Sequence, residues 1–148
     1  MAKVSFSIAT LENLTELVEM NEQLVIDEQF DVILSKAELT ERMKDFILGN
    51  TYECYILLYD NQCCGYCLVD VTRKPLYLRH LFIKSNFRRM GFGSDTITQL
   101  LDMYKTNDLD IEVMAWNTKA IAFYEKLGFS CRFLGMRINK KNLKIIKE

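Results

Sequence analysis

One proline, six glycines, one histidine and one tryptophan among 148 residues are a thin supply of the residues that punctuate a chain. With so little proline and glycine there is no linker and no low-complexity tract. No internal repeat is visible either, so residues 1–148 read as one domain. Long apolar runs are missing too: none reaches the roughly 18–20 residues of a membrane span, and no membrane partner is expected. The first residues, MAKVSFSIATLENLTE, lack an apolar core of about 7–15 residues such as a secretory leader carries. Five cysteines, an odd number, make no disulfide framework and fit a reducing compartment, so a cytoplasmic location is expected. Nor does one sign of charge dominate. The 19 Lys/Arg and 20 Asp/Glu exclude a generally basic nucleic-acid binder.

What is present is the composition of a globular domain, 49% hydrophobic and 26% charged, long enough to bury one sizeable core. The charge is unevenly divided. Residues 1–60 carry 4 Lys/Arg against 12 Asp/Glu, and residues 61–148 carry 15 against 8. An acidic front and a basic back suggest one surface for a cation and another for an anion, although helix faces can also differ by chance.

Periodicity sets the elements. Val4, Phe6 and Ile8 alternate as in a short strand, and Leu11, Leu14, Leu17, Val18, Asn21, Leu24 and Val25 recur at helical spacing behind Thr10 as N-cap. A capping box, Ser35 to Glu38, opens a second helix whose apolar face is Leu39, Met43, Phe46 and Ile47, with Gly49 at its end. Residues 52–59 and 63–71, separated by Asp60, Asn61 and Gln62, read as an antiparallel hairpin, and 76–83 as a third strand of that group. Beyond a glycine loop, Ile97, Leu100, Leu101 and Tyr104 mark a helix. Residues 109–115 mark a strand, Asn117 caps a helix carrying Ala120, Ile121, Phe123, Tyr124 and Leu127, and residues 129–138 mark a last strand. The tail, 139–148, is a weaker candidate for one more. The order β-α-α-β-β-β-α-β-α-β predicts an α/β (α+β) domain with a mixed sheet and helices on both faces.

The most informative segment is Arg88-Arg89-Met90-Gly91-Phe92-Gly93, between a strand and a helix. Glycines let the backbone adopt positive φ and approach a ligand. The unpaired N–H groups of a helix start then face outward as anion donors, here beside Lys84, Arg88 and Arg89. The physical reading is a pyrophosphate cradle; the competing one is a tight turn with solvated arginines. The dinucleotide fingerprint fails, since Thr96 stands where its third glycine belongs, and no P-loop is present.

The spacing of Arg88, Gly91 and Gly93 resembles the Arg/Gln-x-x-Gly-x-Gly/Ala signature of the GNAT superfamily of acyl-CoA-dependent N-acetyltransferases. Downstream, Asn117, Ala120, Phe123, Tyr124, Gly128 and Phe129 resemble that family's Asn-x-x-Ala-x-x-Phe/Leu-Tyr-x-x-x-Gly-Phe segment. The likeness is strong over residues 76–130 and mainly topological before them. It implies a GNAT-like, mostly antiparallel sheet of six to seven strands with about four helices, and acetyl-CoA as cosubstrate with no metal. The pyrophosphate would lie on the amides around Arg89–Ser94 (Arg89, Met90, Gly91, Phe92, Gly93 and Ser94), with the charge of Arg88 beside them. The pantetheine arm would pair with the backbone of Leu81, Phe82 and Ile83, near Asn117, which can equally be a plain N-cap.

The resemblance also implies that Tyr124 is the general acid, protonating a departing thiolate whose conjugate acid has a pKa of about 8.5. By position alone Tyr124 is an apolar-face tyrosine beside Phe123 and Leu127. A base is less evident. Many relatives carry Glu in a stretch resembling Tyr-x-Glu-x-Leu; here that stretch is Tyr77-Leu78-Arg79-His80-Leu81, and arginine cannot act as a base. Arg79 would instead grip a substrate carboxylate or bridge to an acidic residue of the first helix. His80 has a suitable pKa, but it points away from the face of Arg79 unless a bulge intervenes. Glu112 and water are the other candidates. The resemblance implies that the end of the first helix, with Asn21, Asp27 and Glu28, borders the acceptor; Asn21 on the buried stripe needs a partner, either protein or ligand, and Asp27 or Glu28 would hold an ammonium or simply form a solvated helix end.

Cys64 and Cys67 form a Cys-x-x-Cys at the start of a strand. Alternation sends them to opposite faces, and no second close pair completes a zinc set, so ordinary strand cysteines are expected. The reading is an N-acetyltransferase acting on a small-molecule primary amine. The alternative is a degenerate domain that binds acyl-CoA without turnover. A homodimer through an exposed sheet edge is an open possibility.

Overall fold

The computed structural model describes residues 3–147. Five strands form one sheet in the order β1-β2-β3-β4-β5. They are β1 (Ser5–Ile8), β2 (Tyr52–Tyr59), β3 (Gln62–Asp70), β4 (Leu76–Ile83) and β5 (Leu109–Asp110). The first four run antiparallel, and β5 lies parallel to β4. Helices α1 (Leu14–Asp27) and α2 (Lys36–Leu48) cover one face, closing a core of Leu17, Leu24, Met43, Phe46, Ile56, Tyr66 and Phe82. Helices α3 (Phe92–Met103) and α4 (Thr118–Leu127) lie on the other, over Leu57, Cys67, Val69, Leu78, Phe92 and Leu100. Among the described residues no helix is long and apolar enough to cross a membrane.

Local chemistry behaves as read. Thr10 caps the 3-10 turn that leads into α1, and Ser35 and Glu38 close a capping box on α2. Asp60 and Asn61 take positive φ (51° and 61°) in the β2–β3 turn, as a two-residue hairpin requires.

Among the described residues the sheet has five strands, not the expected six to seven. Residues 109–115 pair with β4 only at Leu76 and Tyr77, through Leu109 and Asp110; residues 111–115 then diverge from it. Residues 129–138 form no strand, and Phe133, Leu134 and Met136 stand 71%, 76% and 93% exposed. Residues 139–147 hold only a 3-10 turn at Lys140–Asn142, and Glu148 lies outside the described residues. A β-favouring run becomes a strand only when another strand offers a ladder, and these runs find none.

Two bulges reset the faces. Cys64 is extra between the pairs Leu57–Gly65 and Leu58–Cys63. Cys64 and Cys67 therefore share the core beneath α3 and do not face opposite ways. Arg79 is extra between the pairs Leu68–His80 and Val69–Leu78. Gly65 sits where β3 meets β4 most closely: a Cβ there would lie 2.0 Å from the Phe82 carbonyl oxygen.

Candidate active site

The loop from β4 to α3 presents a run of free donors. Arg89 and Gly91 take left-handed φ of 64° and 83°, and α3 starts at Phe92 without a side-chain cap. Among the described residues, the amides of Arg89 through Ser94 have no protein acceptor; the next, Asp95, donates to the Gly91 carbonyl. Six consecutive free N–H groups at a helix start are donors of the kind an anion can take up. Gly91 supplies the positive φ expected of the loop, whereas Gly93 is helical and admits the Phe123 ring at 3.4 Å from where its Cβ would be.

The three basic residues beside the loop are not equivalent. Lys84 is paired with Glu16 at 3.0 Å. Arg88 donates through Nε to the Ile83 carbonyl at 2.7 Å and through Nη2 to Asp27 at 2.9 Å. Arg89 is exposed and has no hydrogen-bond or ion-pair partner among the described residues. A cleft of about 470 Å³ opens beside Arg88, lined also by Gln23, Phe82 and Ser85. Because β5 stops at Asp110, the β4 backbone past Tyr77 has no strand on that side, and Leu81, Phe82 and Ile83 lie along this open edge.

The end of α1 reaches the start of α4. Asn117 caps α4 by accepting from the Ala120 amide (3.2 Å), while its Nδ2 donates to the Asp27 carbonyl (3.4 Å). Trp116 Nε1 donates to the Gln29 carbonyl at 2.8 Å. Tyr124, two turns into α4, packs edge-on against Phe123 and Phe129. Burial, reinforced by the Glu28 carboxylate, pushes its phenol up to about 12, so it carries its proton at neutral pH.

Across the β4 edge lies a polar cluster. Asn21 is fully buried and accepts from Arg42 Nη2 at 3.1 Å, leaving its own Nδ2 and Arg42 Nε without partners. Its expected partner is thus a protein group, and it stands behind Arg42. Arg79 donates to the Tyr52 hydroxyl at 2.7 Å and makes no bridge to α1. His80 is buried, with Nδ1 3.0 Å from the Tyr66 hydroxyl. Burial first, then the Arg42 and Arg79 charges, press it down to about 3, which makes it a neutral packing element. Glu112 is exposed and bridges to Arg73 at 3.8 Å. Glu28, at the end of α1, has no ion-pair partner within 4 Å; burial outweighs the pull of Arg42 and Arg79 and pushes it up to about 7.

Arg42 was not among the residues singled out from sequence. The available signal was its place three after Leu39 and four before Phe46, a charge within the apolar stripe of α2.

With this geometry in hand, a family-wide sequence model decides the classification: that of the acetyltransferase (GNAT) family matches residues 18–129. The chain belongs to the GNAT family. This GNAT chain is 32% identical over 88 residues to the ribosomal protein bS18-alanine N-acetyltransferase of Salmonella typhimurium (strain LT2), over 55% of its own length and 60% of that protein's. It therefore spans less than two thirds of that relative. A possible acetyltransferase from Clostridium difficile 630 superposes with a TM-score of 0.74 at 15% identity, covering 93% of this chain and 97% of the other. An acetyltransferase from Clostridium acetobutylicum solved with acetyl-CoA gives 0.69 at 17%, covering 92% and 96%. At these identities the likeness to solved structures establishes the GNAT fold.

Proposed function

We propose that the protein transfers the acetyl group of acetyl-CoA to a primary amine of a small molecule by direct attack. The observation that carries this reading is the run of unpartnered amides from Arg89 to Ser94, a cradle for a pyrophosphate next to an open strand edge along which a pantetheine arm can lie. Asp27, Glu28 and Arg79 would border the amine, with Asn21 holding Arg42 behind them.

The amine must arrive or become neutral. At a pKa of about 10.4 this costs roughly 4–5 kcal/mol at pH 7. Glu28 is the group suited to take the proton, directly or through water, because it is near-neutral in affinity and free of protein partners. The amine nitrogen then bonds to the thioester carbon and sheds a proton to water as the carbon–sulfur bond breaks; Tyr124 gives its proton to the leaving sulfur and regains one from solvent. The five free cysteines fit work in the reducing cytoplasm. The exposed apolar residues near the C-terminus, Met136 and Ile145 among them, are where a second copy would pair, a point sedimentation velocity tests.

The first experiment is calorimetric titration with acetyl-CoA, CoA and dephospho-CoA, followed by an amine panel read by mass spectrometry. One site per chain is expected, and Tyr124→Phe should lower turnover by about 10²-fold or more with acetyl-CoA affinity retained. A non-catalytic acyl-CoA-binding module would bind the ligand, acetylate nothing and be indifferent to Tyr124→Phe. Absence of binding at millimolar acetyl-CoA overturns the cradle.

A further inference from the structure

Arg42 and Arg79 are two half-buried guanidinium groups on different elements, α2 and β4, that lie over the same ring. Their Cζ atoms are 5.5 and 5.2 Å from the Phe46 centroid. Stacking on an aromatic face orients a guanidinium and leaves its edge donors free. Among the described residues neither arginine has a carboxylate within 4 Å: the hydrogen bonds of both go to neutral groups, Asn21 and Tyr52, and Arg42 Nε has none. A buried cation with neutral partners only is costly, and two close together more so. Structural arginines of this kind normally carry their counterion with them. Here the nearest acid, Glu28, stays out of contact and near-neutral in affinity even beside two cations.

We infer that the acceptor amine carries a carboxylate, and that this carboxylate seats between Arg42 and Arg79. The inference rests on the acetyl-transfer reading of the same site. Charge balance selects a monoanion. Two arginines and an ionised Glu28 leave one positive charge, which a single carboxylate neutralises, whereas a phosphate dianion would overshoot beside Glu28. Carboxylate geometry also suits the fork of a guanidinium, with paired N–H···O bonds. The bulge at Arg79 serves this purpose: it turns Arg79 onto the α2 face without turning His80 or Phe82 off it. Asn21 is a positioning residue, fixing Arg42 through Nη2 from behind.

The test has two arms. In the first, the twenty L-amino acids, β-alanine and 4-aminobutyrate are each compared with their carboxamides as acceptors, with phosphoethanolamine beside ethanolamine. The expected result is at least one carboxylate with kcat/KM tenfold or more above its amide, and a ratio that falls about tenfold in Arg42→Gln and in Arg79→Gln. Arg42→Lys keeps the charge without the fork and should fall between. Equal use of carboxylates and amides, or a preference for phosphoethanolamine, overturns the inference. The second arm is independent of turnover: butyrate and butyramide are titrated onto the protein and followed by NMR. Butyrate should bind at least tenfold more tightly, and Arg42→Gln should erase the difference; equal binding overturns the carboxylate site. If butyrate binds as expected while acetyl-CoA supports no transfer to any amine, the acetyl-transfer reading fails and the carboxylate site stands.

Discussion

Arg79 and His80, adjacent in the chain, both lie against the ring of Phe46: the Arg79 Cζ is 5.2 Å from its centroid and the His80 ring 5.8 Å, edge-on. Neighbours on a regular strand cannot share a face. They do so here because Arg79 is the unpaired residue of a bulge, so the strand bears its cation and its neutral imidazole toward the same helix.

His80 opposes Glu28 in the pH dependence of stability. Between pH 6.5 and 3 the unfolded chain binds a proton that native His80 refuses, so stability falls as pH falls through that window. Native Glu28 keeps its proton up to about 7 while the unfolded chain releases it near 4.5, so stability falls as pH rises from 4.5 to 7. From 4.5 to 6.5 the two slopes cancel. Glu28→Gln should expose the His80 slope, about 1.4 kcal/mol per pH unit, as urea midpoints that drop from pH 6.5 to 4.5 more steeply than in the wild type. Matching slopes in both proteins would contradict it.

The arginines of the glycine loop should separate in binding. Arg88 is committed to Ile83 and Asp27, and Arg89 to nothing described. Arg89→Ala should weaken acetyl-CoA several-fold and flatten its salt dependence, with little change in melting temperature. Arg88→Ala should loosen the loop and lower the melting temperature as well. Its exposed ion pair alone is worth only about 0–1 kcal/mol. Calorimetry at two salt concentrations and a thermal melt distinguish the two.

Gly65→Ala should cost at least about 2 kcal/mol, because a methyl group 2.0 Å from the Phe82 carbonyl oxygen forces β3 and β4 apart. Chemical denaturation measures this directly, and a neutral substitution would mean that the two strands part easily.

Cysteine alkylation gives a further check. Cys54 and Cys64 are pushed up to about 12 and 11 by burial, and Cys67 rises well above its usual range for the same reason. Cys131 is exposed. Iodoacetamide on the native protein should label Cys131 first by at least tenfold, and Cys131→Ser should clear the way for thiol-release assays of turnover. Rapid labelling of Cys67 would show an opening that the packing does not predict.

What the sequence made legible was what a few consecutive residues decide among themselves. Gly91 and the amides after it, the caps at Ser35 and Asn117, and the helix that carries Phe123 and Tyr124 all depend on local geometry. The bulges were hidden because they depend on how many residues the facing strand supplies. Cys64 and Cys67 were therefore assigned to opposite faces, and Arg79 and His80 could not be placed together. Arg42 escaped because a charge on an apolar stripe acquires meaning only once β4 brings Arg79 to the same ring. Residues 129–138 were over-read for a related reason: a strand is a property of a pair, and alternation describes only one member.

The open edge of β4 carries a consequence for handling the protein. A row of main-chain groups without a ladder partner is free for any other strand, and the apolar residues around Met136 and Ile145 lie uncovered in the same molecule. Solubility should thus be tied to the cosubstrate: protein stored without acetyl-CoA is the adhesive form, and ligand at 100 times its Kd both closes the edge and adds about 2.7 kcal/mol against unfolding.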